Sequence, residues 1–241
     1  MPRTALGDTR LGMAKFTDWR MLHCAAMNTT RKKSQIARVL QGFMFLFAFL
    51  SGTTVVQAAS IEFRVTDASG APLQDVAVYA TPRAKLAPKP RKETLIEQVK
   101  LQFAPLLTVI PVGTAVGFPN RDEVRHHVYS FSSAKAFEIK LYVGTPASPV
   151  VFDKPGEVVL GCNIHDNMRG FVFVVDTPFV AKTGADGRAV VEDLPPGEFD
   201  IGVWHYAQSA AVPVRRVRVA GDKPQPEAFS LSLRPGQLIK R

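Results

Sequence analysis

Gly161-Cys162-Asn163-Ile164-His165-Asp166-Asn167-Met168 puts a thiol, an imidazole and a thioether into one short loop, spaced Cys-x2-His-x2-Met. The flanking stretches, Glu157 to Cys162 and Gly170 to Val175, are short and rich in apolar residues, so the loop reads as the connection between two strands. Three potential ligands within so few residues can meet at one point only if that connection is tight. More imidazole lies upstream in Arg125-His126-His127-Val128, at the start of another predicted strand, His127 to Phe131. A ligand from there must come from a different strand, which explains its distance in sequence.

Thiolate and thioether are soft ligands that suit Cu(I), whereas imidazole suits both Cu(I) and Cu(II). Two His and one Cys in a trigonal array with a weak axial Met form the ligand set of a type 1, or blue, copper site. Cysteine usage agrees. The chain has two Cys, and Cys24 falls in the leader described below, which leaves Cys162 unable to form an intramolecular disulfide. A buried inert thiol is the alternative reading of Cys162; His165 and Met168 beside it argue for a ligand.

The N-terminal region reads as a leader. Arg31-Lys32-Lys33 and Arg38 precede an apolar run from Val39 to Leu50, followed by Val55-Val56-Gln57-Ala58-Ala59. A basic segment, an apolar segment and small residues at a cleavage site make a secretory signal, with cleavage predicted after Ala58. The alternative is an uncleaved anchor, but the unbroken apolar run falls short of the roughly 20 residues a spanning helix needs. Met27 is the better start, and residues 1–26 have no clear role. Export to the periplasm or beyond is therefore expected, with no membrane span after cleavage.

Net charge over all 241 residues is +9, yet the first 58 residues hold 8 Lys and Arg against 2 Asp. The remainder carries 22 basic and 19 acidic residues, which is no electrostatic footprint for nucleic acid.

Beyond the leader the pattern is strands and turns. Ser60 to Thr66 alternates apolar and polar residues, Asp67-Ala68-Ser69-Gly70-Ala71-Pro72 is turn chemistry, and Val76 to Ala80 is a second strand. Pro82 to Lys92 reads as a linker or exposed loop. Further strands are predicted at Val99 to Phe103, Leu106 to Val112, Thr114 to Phe118, Phe137 to Tyr142 and Val150 to Phe152. After Thr177, turns at Thr183–Arg188 and Leu194–Phe199 alternate with strands at Ala189–Glu192, Asp200–Tyr206 and Val212–Val219, and Phe229 to Leu233 is a last candidate before a frayed end. No segment holds a period of 3.6, so the chain is all-β, with sandwich or barrel packing.

The central region, residues 95–176, resembles a cupredoxin of the plastocyanin/amicyanin type. The Cys162, His165 and Met168 spacing is similar to the short ligand loop of amicyanin. Phe118-Pro119-Asn120-Arg121-Asp122-Glu123-Val124-Arg125-His126-His127-Val128 resembles the family's Phe-x-Asn-x-Asp-x-x-x-His-x-Val segment, which carries the first ligand. Phe103-Ala104-Pro105 and Gly113-Thr114-Ala115-Val116 fit its early strands. The resemblance implies one type 1 copper ion held by His126, Cys162 and His165 with Met168 axial, and His127 is the competitor for the first position. The chain departs from the family where His127 replaces the Asn that braces the ligand loop and Arg125 replaces a frequent Pro. His127 is expected to brace the loop through a ring N–H instead.

The flanking segments resemble a carboxypeptidase-regulatory or transthyretin-like β-sandwich. Phe63 to Val78 looks like its opening, and Lys182 to Arg188 with Leu194 to Phe199 like its closing half. Exported proteins linked to methylamine utilisation are similar in arrangement. The expected fold is thus a Greek-key cupredoxin sandwich (92–177) inserted in, or fused to, a second small β-sandwich (59–90 and 178–222), with a leader at 1–58 and a C-terminal tail at 223–241.

The expected function is carriage of single electrons between redox proteins, a cytochrome or dehydrogenase among them. The alternative is copper storage or delivery without redox turnover. Nothing points to an enzyme: there is no paired-carboxylate spacing, no nucleophile motif and no phosphate loop, and the remaining His residues are too few for the further copper sites of an oxidase. His205 in Val203-Trp204-His205-Tyr206 reads as a structural histidine. Ile164, Met168 and Phe118 are expected to rim the edge of His165, with Arg125 and Arg169 close by to steer an acidic partner.

Overall fold

The computed structural model describes residues 59–86, 93–146, 148–220 and 225–239. The leader and its cleavage site, at 1–58, lie outside the described residues. Every regular element is a strand, and no helix among the described residues is long and apolar enough to cross a membrane.

In chain order the strands begin with β1 (Ala59–Asp67) and β2 (Ala77–Pro82). A central group follows: β3 (Thr94–Leu95), β4 (Glu97–Val99), β5 (Gln102–Ala104), β6 (Leu107–Pro111), β7 (Thr114–Gly117), β8 (His126–Ser132), β9 (Lys135–Tyr142), β10 (Val150–Phe152), β11 (Gly156–Gly161) and β12 (Arg169–Val175). The last group is β13 (Phe179–Lys182), β14 (Arg188–Leu194), β15 (Gly197–Trp204), β16 (Arg215–Val219) and β17 (Gln225–Leu231).

The first and last groups build one sandwich. Its sheets run β14-β1-β17 and β13-β2-β15-β16. The period-2 alternation of β1 turns Ile61, Phe63 and Val65 inward, onto a core that includes Val78, Val191, Phe199, Ile201 and Phe229. Phe63 and Phe229 stack at 6.1 Å, and burying each such ring contributes about 1.5–3 kcal/mol. Gly187 closes the turn before β14 with φ +71, and a Cβ there would sit 2.4 Å from the carbonyl of Val65, so the turn needs glycine.

Strands β3 to β12 build a separate core between sheets β6-β12-β11-β8-β9 and β10-β7-β3, with the β4–β5 hairpin alongside. Phe103, Phe118, Phe152, Val158 and Leu160 fill it. A third cluster joins the two sandwiches: Phe173 of β12 stacks on Trp204 at 4.6 Å, and Phe171 stacks on Tyr206 at 4.4 Å.

Three expectations need correction. Val99 to Phe103 is not a strand but a tight hairpin: Val99 pairs with Gln102, and Lys100 and Leu101 make the turn with φ of 53 and 57. That geometry usually selects Asn-Gly, so the Lys-Leu pair conceals it in sequence. Residues 223–241 are not merely a tail, because β17 runs parallel to β1 and buries Phe229 and Leu231. Phe179–Lys182 forms β13, a strand too short to show a period and masked by the preceding Pro178.

Candidate metal centre

Strands β11 and β12 pair antiparallel up to Gly161↔Arg169, so the Cys162–Met168 loop is clamped at its base by a closed ladder. Inside the loop the Met168 N–H donates to the His165 carbonyl at 2.9 Å, which folds His165 and Met168 toward each other. The inward phase of β11 continues from Val158 and Leu160 to Cys162, which is 4% exposed. Met168, 1% exposed, packs in the same core cluster.

His126 arrives from β8. The β8–β9 register shifts there: the two steps from His126 to Val128 oppose the three from Tyr142 to Ile139. Such a bulge re-aims side chains. His126 is fully buried, while His127 turns to the opposite face, where its ring lies 5.5 Å from that of Tyr129.

Three ligand atoms converge. The Cys162 Sγ lies 3.9 Å from Nδ1 of His126 and 3.5 Å from Nδ1 of His165, and the three groups together could hold one metal ion. The two imidazoles meet edge to face at 4.9 Å. His126 is oriented from behind: its Nε2 lies 2.8 Å from Asp122 Oδ2. The Asp122 carboxylate can only accept, so Nε2 carries the proton and Nδ1 presents a lone pair toward the thiol.

Asp122 is itself held. It accepts the backbone N–H groups of Lys100 (2.7 Å) and Leu101 (2.9 Å), the two residues of the β4–β5 turn. Burial opposes its ionisation, but the Leu101 N–H, the His126 ring and the Lys100 N–H together hold its carboxyl below the usual carboxylate range. Asn120 fastens the same loop: its Nδ2 donates to the carbonyls of Val124 and Tyr142, and its Oδ1 accepts from the Asp122 N–H. Tyr142, opposite His126 on β9, donates to the Phe118 carbonyl at 2.6 Å and receives a hydrogen bond from Gln98. Burial first, and the charge of Cys162 to a lesser degree, push its phenol up to about 12.

These residues suit copper. A buried thiol with two imidazole lone pairs aimed at it, and a carboxylate fixing one tautomer, is the donor set and outer support a type 1 site uses.

The structure thus brings together His126, Cys162 and His165, and places Met168 in the core beneath them. It does not bring in His127, whose Nε2 lies 2.9 Å from Glu138 Oε1 and whose buried Nδ1 has no hydrogen-bond partner. His127 therefore pairs with β9 and does not brace the ligand loop. The expected rim is also revised: Met168 and Phe118 are each 1% exposed and lie beneath the surface, whereas Ile164 is 50% exposed. Asp122 and Asn120 were quoted in the sequence motif without a role of their own. A carboxylate four residues before a ligand His was the signal for the first.

No protein-family model matches the chain, and no curated protein matches it. The solved structures it resembles are cupredoxin-type copper proteins. The Cu-containing nitrite reductase (NirK) from Thermus scotoductus SA-01 is 28% identical, covering 40% of this chain and 26% of that one, with a TM-score of 0.33. An oxidized point mutant of amicyanin is 22% identical, covering 34% of this chain and 81% of that one, with a TM-score of 0.32. A purple cupredoxin from Nitrosopumilus maritimus is 26% identical, covering 34% of this chain and 98% of that one, with a TM-score of 0.30. The chain thus spans about a quarter of the nitrite reductase and most of the two small proteins.

Proposed function

We propose that this chain is a type 1 copper protein that carries single electrons between redox proteins. The observation that carries the reading is the convergence of two imidazole Nδ1 atoms on one buried thiol, with the far side of His126 locked by Asp122. His126, Cys162 and His165 would hold the ion, and Met168 would supply the weak axial sulfur. When bound, copper supplies a one-electron couple between Cu(I) and Cu(II).

The protein's own part is to keep the donors still. Cys162 sits at the end of a paired strand, and His126 is tied to Asp122 and through it to the β4–β5 turn. A rigid donor set lets the charge change occur with little rearrangement, which is what fast electron exchange demands. Burial of Cys162 and Met168 keeps water from the thiolate, while the partly exposed His165 ring gives a partner access. The leader read over residues 1–58 would put this exchange in an exported compartment.

Voltammetry of the copper-loaded protein tests the reading. A reversible one-electron wave, with copper retained against a competing chelator in both oxidation states, is the expected result. Rapid loss of copper to the chelator without a reversible wave would favour storage or delivery instead.

A further inference from the structure

Cross-strand pairing fixes which side chains share a face of the β6-β12-β11-β8-β9 sheet. Phe171 opposes Val159, Gly161 lies two residues on from Val159, and Gly161 opposes Tyr129. Phe171, Val159, Gly161, Tyr129 and Phe131 therefore lie on one face, while Cys162 and Leu160 point through the other into the core. On the β12 half of that outer face the second sandwich covers Phe171 and Phe173 with Tyr206 and Trp204. On the β8 and β11 half the described residues leave Phe131 87% exposed and Val159 41% exposed.

That open half carries a row of rings. His127 lies 5.5 Å from Tyr129, and Tyr129 lies 5.1 Å from Phe131. The row starts at the candidate centre twice over. His127 is bonded to the ligand His126. Tyr129 lies directly on the backbone of Gly161, the residue bonded to Cys162: a Cβ on Gly161 would come within 2.7 Å of the Tyr129 ring. Only glycine lets the ring settle there, one backbone thickness behind the thiol.

We propose that His127, Tyr129 and Phe131 form a second electron route, from the metal centre to the outer face of this sheet. It would serve a one-electron redox protein that docks on Phe131 and Val159 and never touches His165. The inference rests on the copper reading above. The rings act as a coupling medium: one electron leaves the reduced centre and arrives on the partner's oxidised group, with no bond made or broken and no proton moved. Two ports on separate faces would let a donor and an acceptor bind at once.

The test uses the copper-loaded chain with a ruthenium polypyridyl complex attached to an introduced imidazole, Ser133→His, beside Phe131. A flash makes Ru(III), and the oxidation of the reduced centre is timed. Tyr129→Leu and Phe131→Leu should each slow that step by about an order of magnitude. Oxidation of the same variants by ferricyanide, which has access to His165, should be unchanged. An equal Ru(III) rate in all variants would overturn the route while leaving the copper reading intact. Absence of an intense thiolate-to-copper band in the parent would overturn both. An independent readout needs no metal: in the metal-free protein, proton cross-relaxation should connect the Tyr129 ring to Gly161 Hα and to the Phe131 ring. Its absence would equally overturn the row.

Discussion

Asp122 ties the orientation of His126 to a hairpin turn nearly two dozen residues away in sequence. One carboxylate lies 2.8 Å from the His126 Nε2 and also accepts the N–H groups of Lys100 and Leu101. Both turn residues have positive φ, a conformation that costs a non-glycine residue roughly 1–2 kcal/mol. The charged acceptor helps offset that cost and draws the β4–β5 hairpin against the ligand strand.

Asp122→Ala should therefore weaken two properties together. Outer partners of a ligand His are typically worth about 10–100-fold in metal affinity, and a loss in that range is expected in competition with a chelator. Stability of the metal-free protein to denaturant should fall as well, because two N–H groups and a ring N–H lose their acceptor. Asp122→Asn, which keeps one acceptor oxygen, should restore part of both. Unchanged affinity in the Ala variant would remove Asp122 from the site.

Met168 should tune the centre more than it retains the ion. Its thioether lies in the core, 1% exposed, in a loop anchored by Cys162 and His165. A weak axial ligand shifts the balance between Cu(I) and Cu(II). Met168→Leu should keep copper and raise the reduction potential measured by voltammetry. Complete loss of copper would instead make Met168 a main ligand.

Trp204 should matter to stability and not to colour. It stacks nearly parallel on Phe173 (3°), where the second sandwich meets β12. Trp204→Ala removes a large ring from that cluster and should cost about 3–5 kcal/mol in a denaturant titration. The visible spectrum of copper-loaded protein should survive below the unfolding transition.

His205 predicts a pH dependence. Its Nδ1 accepts the Ala207 N–H at 3.1 Å, and the ring packs 4.2 Å from Tyr206. Burial lowers its pKa from 6.5 to about 4, although Asp75 and a hydrogen bond to the Gln74 backbone act in the opposite direction. Between those values the unfolded chain binds a proton that the folded chain does not. Stability from this group is therefore complete above about pH 6.5 and falls as pH drops toward 4. His205→Gln keeps a donor and an acceptor but does not titrate. The stability difference between parent and variant should shift against the parent from pH 7 to pH 5. A constant difference would mean that His205 ionises as freely folded as unfolded.

The ligand loop was legible because its chemistry is local: Cys162, His165 and Met168 lie close together between two runs of alternating residues. His126 was readable only through the motif around it. What separates it from His127 is the β8–β9 bulge, a register event that depends on the partner strand. The roles of Asp122 and Tyr142 were hidden for the same reason, since their partners, Lys100, Leu101 and Phe118, are set by tertiary packing. The β4–β5 turn escaped notice because its positive-φ residues are Lys and Leu and their N–H groups go to a distant side chain. β17 was read as a frayed end because its parallel pairing with β1 spans almost the whole described chain.

The most direct test is to add one equivalent of Cu(II) to the purified protein and to its Cys162→Ala variant, and to record both visible spectra. A type 1 centre built on His126, Cys162 and His165 predicts an intense thiolate-to-copper band in the parent and none in the variant. A colourless parent, or a variant that keeps the band, would contradict it.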